Sequence, residues 1–299
     1  MANTLTNVAR TNVLQDTLIP AARMALAPVT AISTTITESE LQIGETLKIP
    51  LVTAMTASSY SGNFATGDST TTSASGTITS AMRSWHVSPG EVLATPARYA
   101  AMGAEAAKSV GKAIVDAVAG LYTEANVGTG AANEINVAVA NFDSDDVADA
   151  LVLLNAKGSD DASLLVSAGG YGSLRKDNAI EYQANSGMSV LQDGNIPAVL
   201  GQPTHNMNAL PTAISDENTY GLLVGKASAG LVLGRFPQVD LAREQAAGVS
   251  IMEITDEESG LTLTVREWVD ANTGFHWGSV YTAYAVAYGQ DVAIRIATA

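Results

Sequence analysis

Three lone histidines, one glycine-rich turn and three acidic clusters are the parts of this 299-residue chain whose residue types could do chemistry. His86, His205 and His276 stand apart, with no H-x-x-x-H pair and no carboxylate at ligand spacing. Surface or turn positions suit them better than a metal centre. Gly169-Gly170-Tyr171-Gly172 sits between a predicted strand and a predicted helix, with Lys176 one turn in, and so has the outline of a phosphate-binding loop. It does not match G-x-G-x-x-G, and no G-K-S/T follows. A tight turn that needs positive φ is the better account of it. Asp143/Asp145/Asp146, Asp160-Asp161 and Asp256-Glu257-Glu258 could suggest calcium, yet none has the D-x-D-x-D-G…E spacing of a loop site. Helix capping and solvated turns explain them, with an incidental divalent ion at an interface as the alternative. There is no G-x-S-x-G elbow and no cysteine. No catalytic, cofactor-binding or metal-ligating residue is therefore assigned, and a non-enzyme without cofactors is expected.

Composition narrows the field further. Thirty acidic against 15 basic residues give a formal charge of −15, a surface that repels nucleic-acid phosphates. No run of about 18 apolar residues occurs, so no membrane span is expected. The first dozen residues lack a charged-then-apolar signal. Apolar residues make up 46% and aromatics only 5%, with alanine, threonine, serine and glycine abundant. Such a chain is globular, and favours close backbone packing over large ligand pockets.

The elements that would position these residues centre on one helix. Thr95 to Asn126 is rich in alanine, with Thr95 as a possible N-cap and Pro96 at the first helical position. Met102, Val110, Ile114, Val118 and Leu121 fall near a three-to-four spacing, and Glu105, Lys108, Lys112 and Asp116 form a second, polar stripe. A helix of that span would be more than twice as long as an average globular helix.

Before it, Asn12 could cap a short helix that Pro20 breaks or restarts, and Pro28 ends the next piece. Residues 1–46 hold too few large apolar side chains for a core of their own, so this is a loose terminus or an arm that docks elsewhere. Thr46–Ala54 alternates like an edge strand. Residues 55–80 are almost entirely small and polar, either a loop or a two-stranded ribbon that needs a partner surface.

Beyond the long helix, the pattern predicts a strand over Ile135–Phe142, a helix over Asp143–Lys157, a buried strand over Leu164–Ser167 and a helix over Ser173–Gln183. Together they make a β-α-β-α unit. Strand and turn follow over 191–211, a buried strand over Tyr220–Val224, and a short helix or strand over Lys226–Leu233. Val249–Ile254, Leu261–Val269, Val280–Tyr288 and Val292–Ile296 complete the chain as antiparallel strands.

This order of parts resembles the major capsid (coat) proteins of tailed double-stranded DNA phages, the Hong Kong-97-type fold. Thr46–Pro50, the polar excursion 55–80, the helix 96–125 and the terminal YTAYAVAYGQDVAIRI carry the likeness. The resemblance implies an α+β fold with an N-terminal arm (1–45) over a neighbouring subunit and a strand with an extended β-ribbon loop (46–92). It also implies a spine helix opening a peripheral domain (93–134), an α/β axial domain (135–248), peripheral antiparallel strands (249–290) and a C-terminal strand (291–299). The implied function is self-assembly, as hexamers and pentamers, into an icosahedral virion shell around double-stranded DNA that is enclosed without specific binding.

The implied partners are further copies, a portal, a separate scaffolding protein and a cement protein, with assembly in the host cytoplasm and no membrane. A separate scaffold is implied because the arm begins almost at Met1, unless a preceding segment is missing from this chain. Some members of the family cross-link a loop lysine to an asparagine. Residues 51–82 hold no lysine, so that ligation is not expected. Three alternatives stand beside this reading: an encapsulin-type cellular compartment, an α/β enzyme using the 135–183 unit, and a cell-surface or tail structural protein.

Overall fold

The computed structural model describes residues 7–52, 71–88, 96–128, 130–159, 161–177, 196, 198–207, 210, 219–235, 248–256 and 259–298. The chain begins with a helix, α1, over Asn7–Thr30. Pro20 and Pro28 lie inside it, so the expected break does not occur. An interior proline costs about 3 kcal/mol. The offset is burial. Leu18, Ala22, Leu26 and Val29 are spaced at helical intervals and fully or almost fully buried. Each large apolar side chain removed from water is worth about 1.5–3 kcal/mol.

Their partner is α2, Pro96–Ala119, the alanine-rich helix. A Cβ at Gly111 would lie 3.0 Å from both the Ala22 carbonyl oxygen and the Ala25 Cβ. Small residues thus let the two helices approach closely. The N-terminal helix packs against α2 within its own chain. Its continuation, β1 (Ser33–Glu40), was missing from the sequence expectation.

α2 ends seven residues earlier than its alanine content suggested. Leu121 N–H bonds back to the Val118 carbonyl and Tyr122 N–H to Ala119, a tightening into i−3 spacing that closes the helix. The Asn126 side chain then donates to the Leu121 carbonyl at 2.7 Å, and α3 is a separate turn over Glu124–Val127. Tyr122 is the reason for the turn. It is completely buried, its hydroxyl 2.7 Å from Ser228 Oγ, and burial pushes its phenol pKa up.

Among the described residues the strands form two six-stranded sheets and a ribbon. The first sheet joins β1, β4 (Thr79–Val87), β10 (Ala229–Arg235), β11 (Ser250–Thr255), β12 (Thr262–Val269) and β13 (His276–Tyr288). β13 is its 13-residue spine, pairing antiparallel with β4 over 276–284, with β12 over 276–281 and with β10 over 283–288. Leu231, Leu233, Leu263, Val265, Val280 and Tyr284 turn one face toward α1 and α2. The period-two alternation in β12 and β13 predicted this face. The open choice at Lys226–Leu233 resolves to strand, and that strand belongs to this sheet, not to the unit expected over 135–248.

The ribbon pairs β2 (Thr46–Val52) with β3 (Thr71–Thr77). It lies on the opposite face of the first sheet, where Ile49 and Ile78 pack with Val232, Ala283, Ala285 and Ala287. Glycine makes the contact possible, since a Cβ at Gly230 would sit 2.8 Å from Ile49 Cγ2. The base of the ribbon therefore rests on its own chain. Residues 53–70, the middle of the polar excursion, lie outside the described residues.

The second sheet has the order β5, β14, β9, β6, β8, β7. Its members are β5 (Glu134–Asn136), β6 (Ala162–Val166), β7 (Ala198–Val199), β8 (Gln202–Asn206), β9 (Thr219–Gly225) and β14 (Ala293–Ala297). Every residue of β6, β9 and β14 is buried. β5 is three residues long and is followed by a 3₁₀ turn at Val139–Asn141, so the strand expected to run to Phe142 stops early. The helix after it, α4, spans Ser144–Ala156 and matches its sequence signals. Asp143 caps it in a capping box with Asp146, and Gly158, at φ 85°, follows its C-cap. α4 packs Val147, Ala150 and Leu154 on the sheet.

Candidate assembly surfaces

The structure scatters the residues that could have carried chemistry. His86 stacks at 4.5 Å on Trp277 and meets Phe275 edge-on at 5.4 Å. His276 is opposite Val87 in the next register position, so the two histidines share one end of the first sheet but face opposite sides. His205 lies on β8 in the second sheet, where burial lowers its pKa. Among the described residues no group of three or more His, Asp or Glu side chains could hold a metal ion.

Gly169, Gly170 and Gly172 are not a turn ahead of a helix. They lie inside α5, Ala168–Leu174, which Ser167 caps. None of the three has positive φ. Gly170 is needed for packing, because a Cβ there would come within 2.6 Å of Val166 Cγ1. Lys176 lies past the helix end, its N–H bonded to the Ser173 carbonyl. Residues 178–183, the rest of the helix expected over 173–183, are outside the described residues.

The acidic clusters are taken up in structure. Asp143 accepts from the Asp145 and Asp146 N–H groups at 3.0 and 3.3 Å. Burial raises the Asp146 pKa, and the neighbouring carboxylates of Asp143, Asp149 and Asp145 add to it. Asp256 is held by the Arg23 guanidinium from α1 and by Ser259, whose hydroxyl donates at 2.6 Å. Burial alone would raise this carboxyl. The hydrogen bonds from Arg23 and Ser259 outweigh it and hold Asp256 below the usual range. Asp160, Glu257 and Glu258 lie outside the described residues.

One polar cluster had no forewarning beyond a lone arginine in the apolar run Val292–Ile296. Arg295 is fully buried. Its Nε and Nη2 donate to Thr219 Oγ1 at 3.2 and 2.8 Å, and its Nη1 reaches Glu134 at 2.9 Å and Glu124 at 3.5 Å. α3, β5, β9 and β14 meet on this one side chain, which makes it a structural lock.

What stands open is surface. On the ribbon side of the first sheet, beyond the stretch that Ile49 covers, a groove runs past Met82, Ser84, Arg266, Trp268 and Tyr281. Trp268 and Trp277 stack at 5.9 Å, nearly parallel, and the Arg266 guanidinium lies 5.1 Å over the Tyr281 ring. Met82 is 67% exposed there. A second groove lies between β4 and α2, with Arg83, His86 and Arg98 at its rim and Trp85, Met102 and Ala106 beneath. Both have the apolar floor and polar rim of a contact with another macromolecule. Among the described residues no helix is long and apolar enough to cross a membrane.

No protein-family model matches the chain, and no curated protein matches it. Solved structures do. A capsid structure of the cyanophage P-SCSP1u aligns with a TM-score of 0.51 at 14% identity, over 89% of this chain and 86% of the other. A virus-like particle from Pyrococcus furiosus aligns at 0.53 and 10% identity, over 95% and 97%. A structure from Gordonia phage Cozz aligns at 0.52 and 11%, over 92% and 86%. At such identities the likeness is one of fold, and it spans nearly the whole chain. The protein has the α+β Hong Kong-97-type fold that its order of segments suggested.

Proposed function

We propose that this chain is a major capsid protein that self-assembles, as hexamers and pentamers, into an icosahedral shell enclosing viral double-stranded DNA. The observation that carries the reading is the fold shared over 89% of the chain with a phage capsid structure. The open grooves on the first sheet support it, because a shell built from one chain needs heterologous contact surfaces that close on themselves. An acidic protein at −15 would also enclose DNA without gripping it.

On this reading the first sheet with α1 and α2 is the peripheral domain, and the second sheet with α4 and α5 is the axial domain. β2, β3 and residues 53–70 form the extended loop. The domain boundary falls between β9 and β10, earlier than residue 248. The partners are further copies, a scaffolding protein, a portal and a cement protein, with assembly in the host cytoplasm and a final place in the virion. No catalytic role is part of the proposal.

The likeness to a virus-like particle from Pyrococcus furiosus favours one second reading, an encapsulin-type compartment around a cargo protein. Electron microscopy of the protein expressed alone and with its neighbouring genes tests both. Closed polyhedra, tubes or spirals are the expected products, and their contents, DNA or a protein cargo, separate the two readings. Monodisperse single subunits in both conditions would overturn both.

A further inference from the structure

We infer that the turn Leu200–Gly201, at the tip of the β7–β8 hairpin, is a contact that copies of this chain make with each other about a rotation axis, Leu200 of one copy meeting Leu200 of the next. The inference deepens the shell reading and rests on it.

Backbone strain marks the residue. Val199 pairs with Gln202, so the loop between β7 and β8 is two residues long. Leu200 stands at φ 50° and Gly201 at φ 82°, and positive φ at both central positions is the type I′ hairpin turn. Asparagine or aspartate before glycine is the usual choice there, because the left-handed region crowds the Cβ of other residues. Among the described residues Ala227 is the only other residue besides glycine with positive φ, and it serves the chain's own packing. Its carbonyl accepts the Gln290 N–H at 3.0 Å, which ties the turn after β9 to the chain leaving β13. Leu200 is 41% exposed, at the far edge of the second sheet. The turn itself does not call for leucine, so the side chain is what the position supplies.

Charge picks out the same turn. Copies that meet about a rotation axis bring one element of each together, and any charge on that element is repeated at every copy and repels itself. Chains at −15 already repel one another, so the element at the axis has to be uncharged. Among the described residues three other pairs of consecutive strands form hairpins, β2–β3, β11–β12 and β12–β13. The sequence of each connection carries acid: Asp68 in the first, Asp256, Glu257 and Glu258 in the second, Asp270 in the third. From Gly194 to Ser215, the span that holds the β7–β8 hairpin, there is no Asp, Glu, Lys or Arg. Burial lowers the pKa of His205 on β8, so that residue too is neutral at pH 7.

The form of the contact follows from the strand. β7 is two residues long and follows Pro197, which has no N–H, so its free edge offers little to a further strand. Side-chain contact is what remains. A leucine on a two-residue turn is already held in place by the backbone, so little further ordering is needed when it is buried. Leucines brought together from several copies make the small apolar centre around which an interface closes.

The experiment places opposite charges at this position in the full chain, Leu200→Asp and Leu200→Lys, with Leu200→Asn and Leu200→Met beside them. Asparagine suits the turn better than leucine, so Leu200→Asn should melt with the wild type or about 2 °C above it, while its particle yield falls. Leu200→Met keeps an apolar side chain and should keep most of the yield. Leu200→Asp alone and Leu200→Lys alone should each lose about tenfold or more, because either sign repels its own copies. An equimolar mixture of the two should recover particles, since copies of opposite sign then sit side by side. Raised salt should partly restore each charged variant on its own.

Wild-type yield from either charged variant would overturn the inference. So would loss in both with no recovery on mixing, which would mean that the leucine meets a different surface of its neighbour. A lowered melting temperature for Leu200→Asn would overturn it as well, by showing that the leucine packs within its own chain. If the wild-type chain makes no particles, the shell reading fails separately, and the turn is then decided in solution. The chain has no cysteine, so Leu200→Cys carries a single thiol. A short bis-maleimide should join that variant into covalent pairs far more readily than it joins Val152→Cys, whose position on α4 is 68% exposed. Equal cross-linking at the two positions would overturn the inference.

Discussion

The two sheets of this molecule are built from similar residues and treat their faces differently. The second sheet is closed on both sides. β6, β9 and β14 are buried along their whole length, with α4 and α5 over one face and the main core under the other. The first sheet is closed only toward α1 and α2. Its other face is covered by the base of the ribbon along part of its length and open around Met82 and Trp268. Among the described residues, one sheet is covered on both faces and the other on one face and part of the second. Under the shell reading proposed above, the open part is where a neighbouring copy would add burial.

The largest expected effect breaks the closed sheet. Arg295→Ala leaves Glu134 and Glu124 facing a hole where their cation was, and Glu134 is itself mostly buried. Removing one member of a buried ion pair costs about 3–5 kcal/mol. Urea unfolding should show a loss of that order or no folded protein at all. Arg295→Met, of similar length without the charge, removes the cation too and should not rescue it. A loss under about 1 kcal/mol would mean that water reaches this cluster and that the sheet is not sealed.

The second effect tests whether α1 belongs to this chain's own core. Leu26→Ala removes a side chain that is 1% exposed and packed in the main cluster. A fully buried leucine costs about 2–5 kcal/mol on truncation. The measurement should be made at a concentration where the protein sediments as a monomer. Unchanged monomer stability with lost assembly would restore the neighbour-docking arm that the sequence suggested.

How much of this was legible depends on how local the physics was. The capping box at Asp143, Pro96 at the start of α2 and the alternation through β12 and β13 are local patterns, and the structure carries them out. The long α1 was not legible. Pro20 is a strong local signal against it, and the burial of Leu18, Ala22 and Leu26 that outweighs the proline exists only once α2 is in place. Gly169–Gly172 suggested a turn for the same reason. The packing of Gly170 between Val166 and Tyr220 depends on a strand about 50 residues away. The overrun of α2 past Ala119 came from alanine's propensity, with nothing in the sequence to show that Tyr122 inserts beside Ser228. The grooves were invisible because they depend on which edge of β13 receives β4.

A smaller effect probes the closed sheet at its helical cover. Asp143→Ala removes both hydrogen bonds to the first turn of α4 and should cost about 1 kcal/mol, with Asp143→Asn or Ser recovering most of it. Because α4 covers the second sheet, the loss should appear as faster amide exchange in α4, with the first sheet unaffected.

Acid gives a finer contrast. The Asp256 pKa is held below its ordinary value, so the carboxylate favours the folded state, and its contribution is fully present above the unfolded carboxyl pKa of about 4. As pH falls through the lower folded value, that contribution disappears. Arg23 is half exposed, so its share is screened and worth under about 1 kcal/mol. Arg23→Leu should lower stability at neutral pH by that amount and flatten the acid limb of a melting-temperature profile between about pH 2 and 5. An unchanged acid limb would show that Ser259 alone sets the Asp256 titration.

The smallest expected change in stability falls on the open face, and there it separates folding from assembly. Met82 is 67% exposed beside Trp268 and Tyr281. Replacing a surface side chain away from caps and buried pairs changes stability by about 0.5 kcal/mol or less. Met82→Ser should therefore melt with the wild type. If the open face is completed by another macromolecule, the same substitution removes a flexible apolar contact from that interface and particle yield should fall although the subunit is unharmed. If yield and melting are both unchanged, the open face is merely solvent-exposed sheet, and the contrast between the two sheets is one of burial without a division of labour.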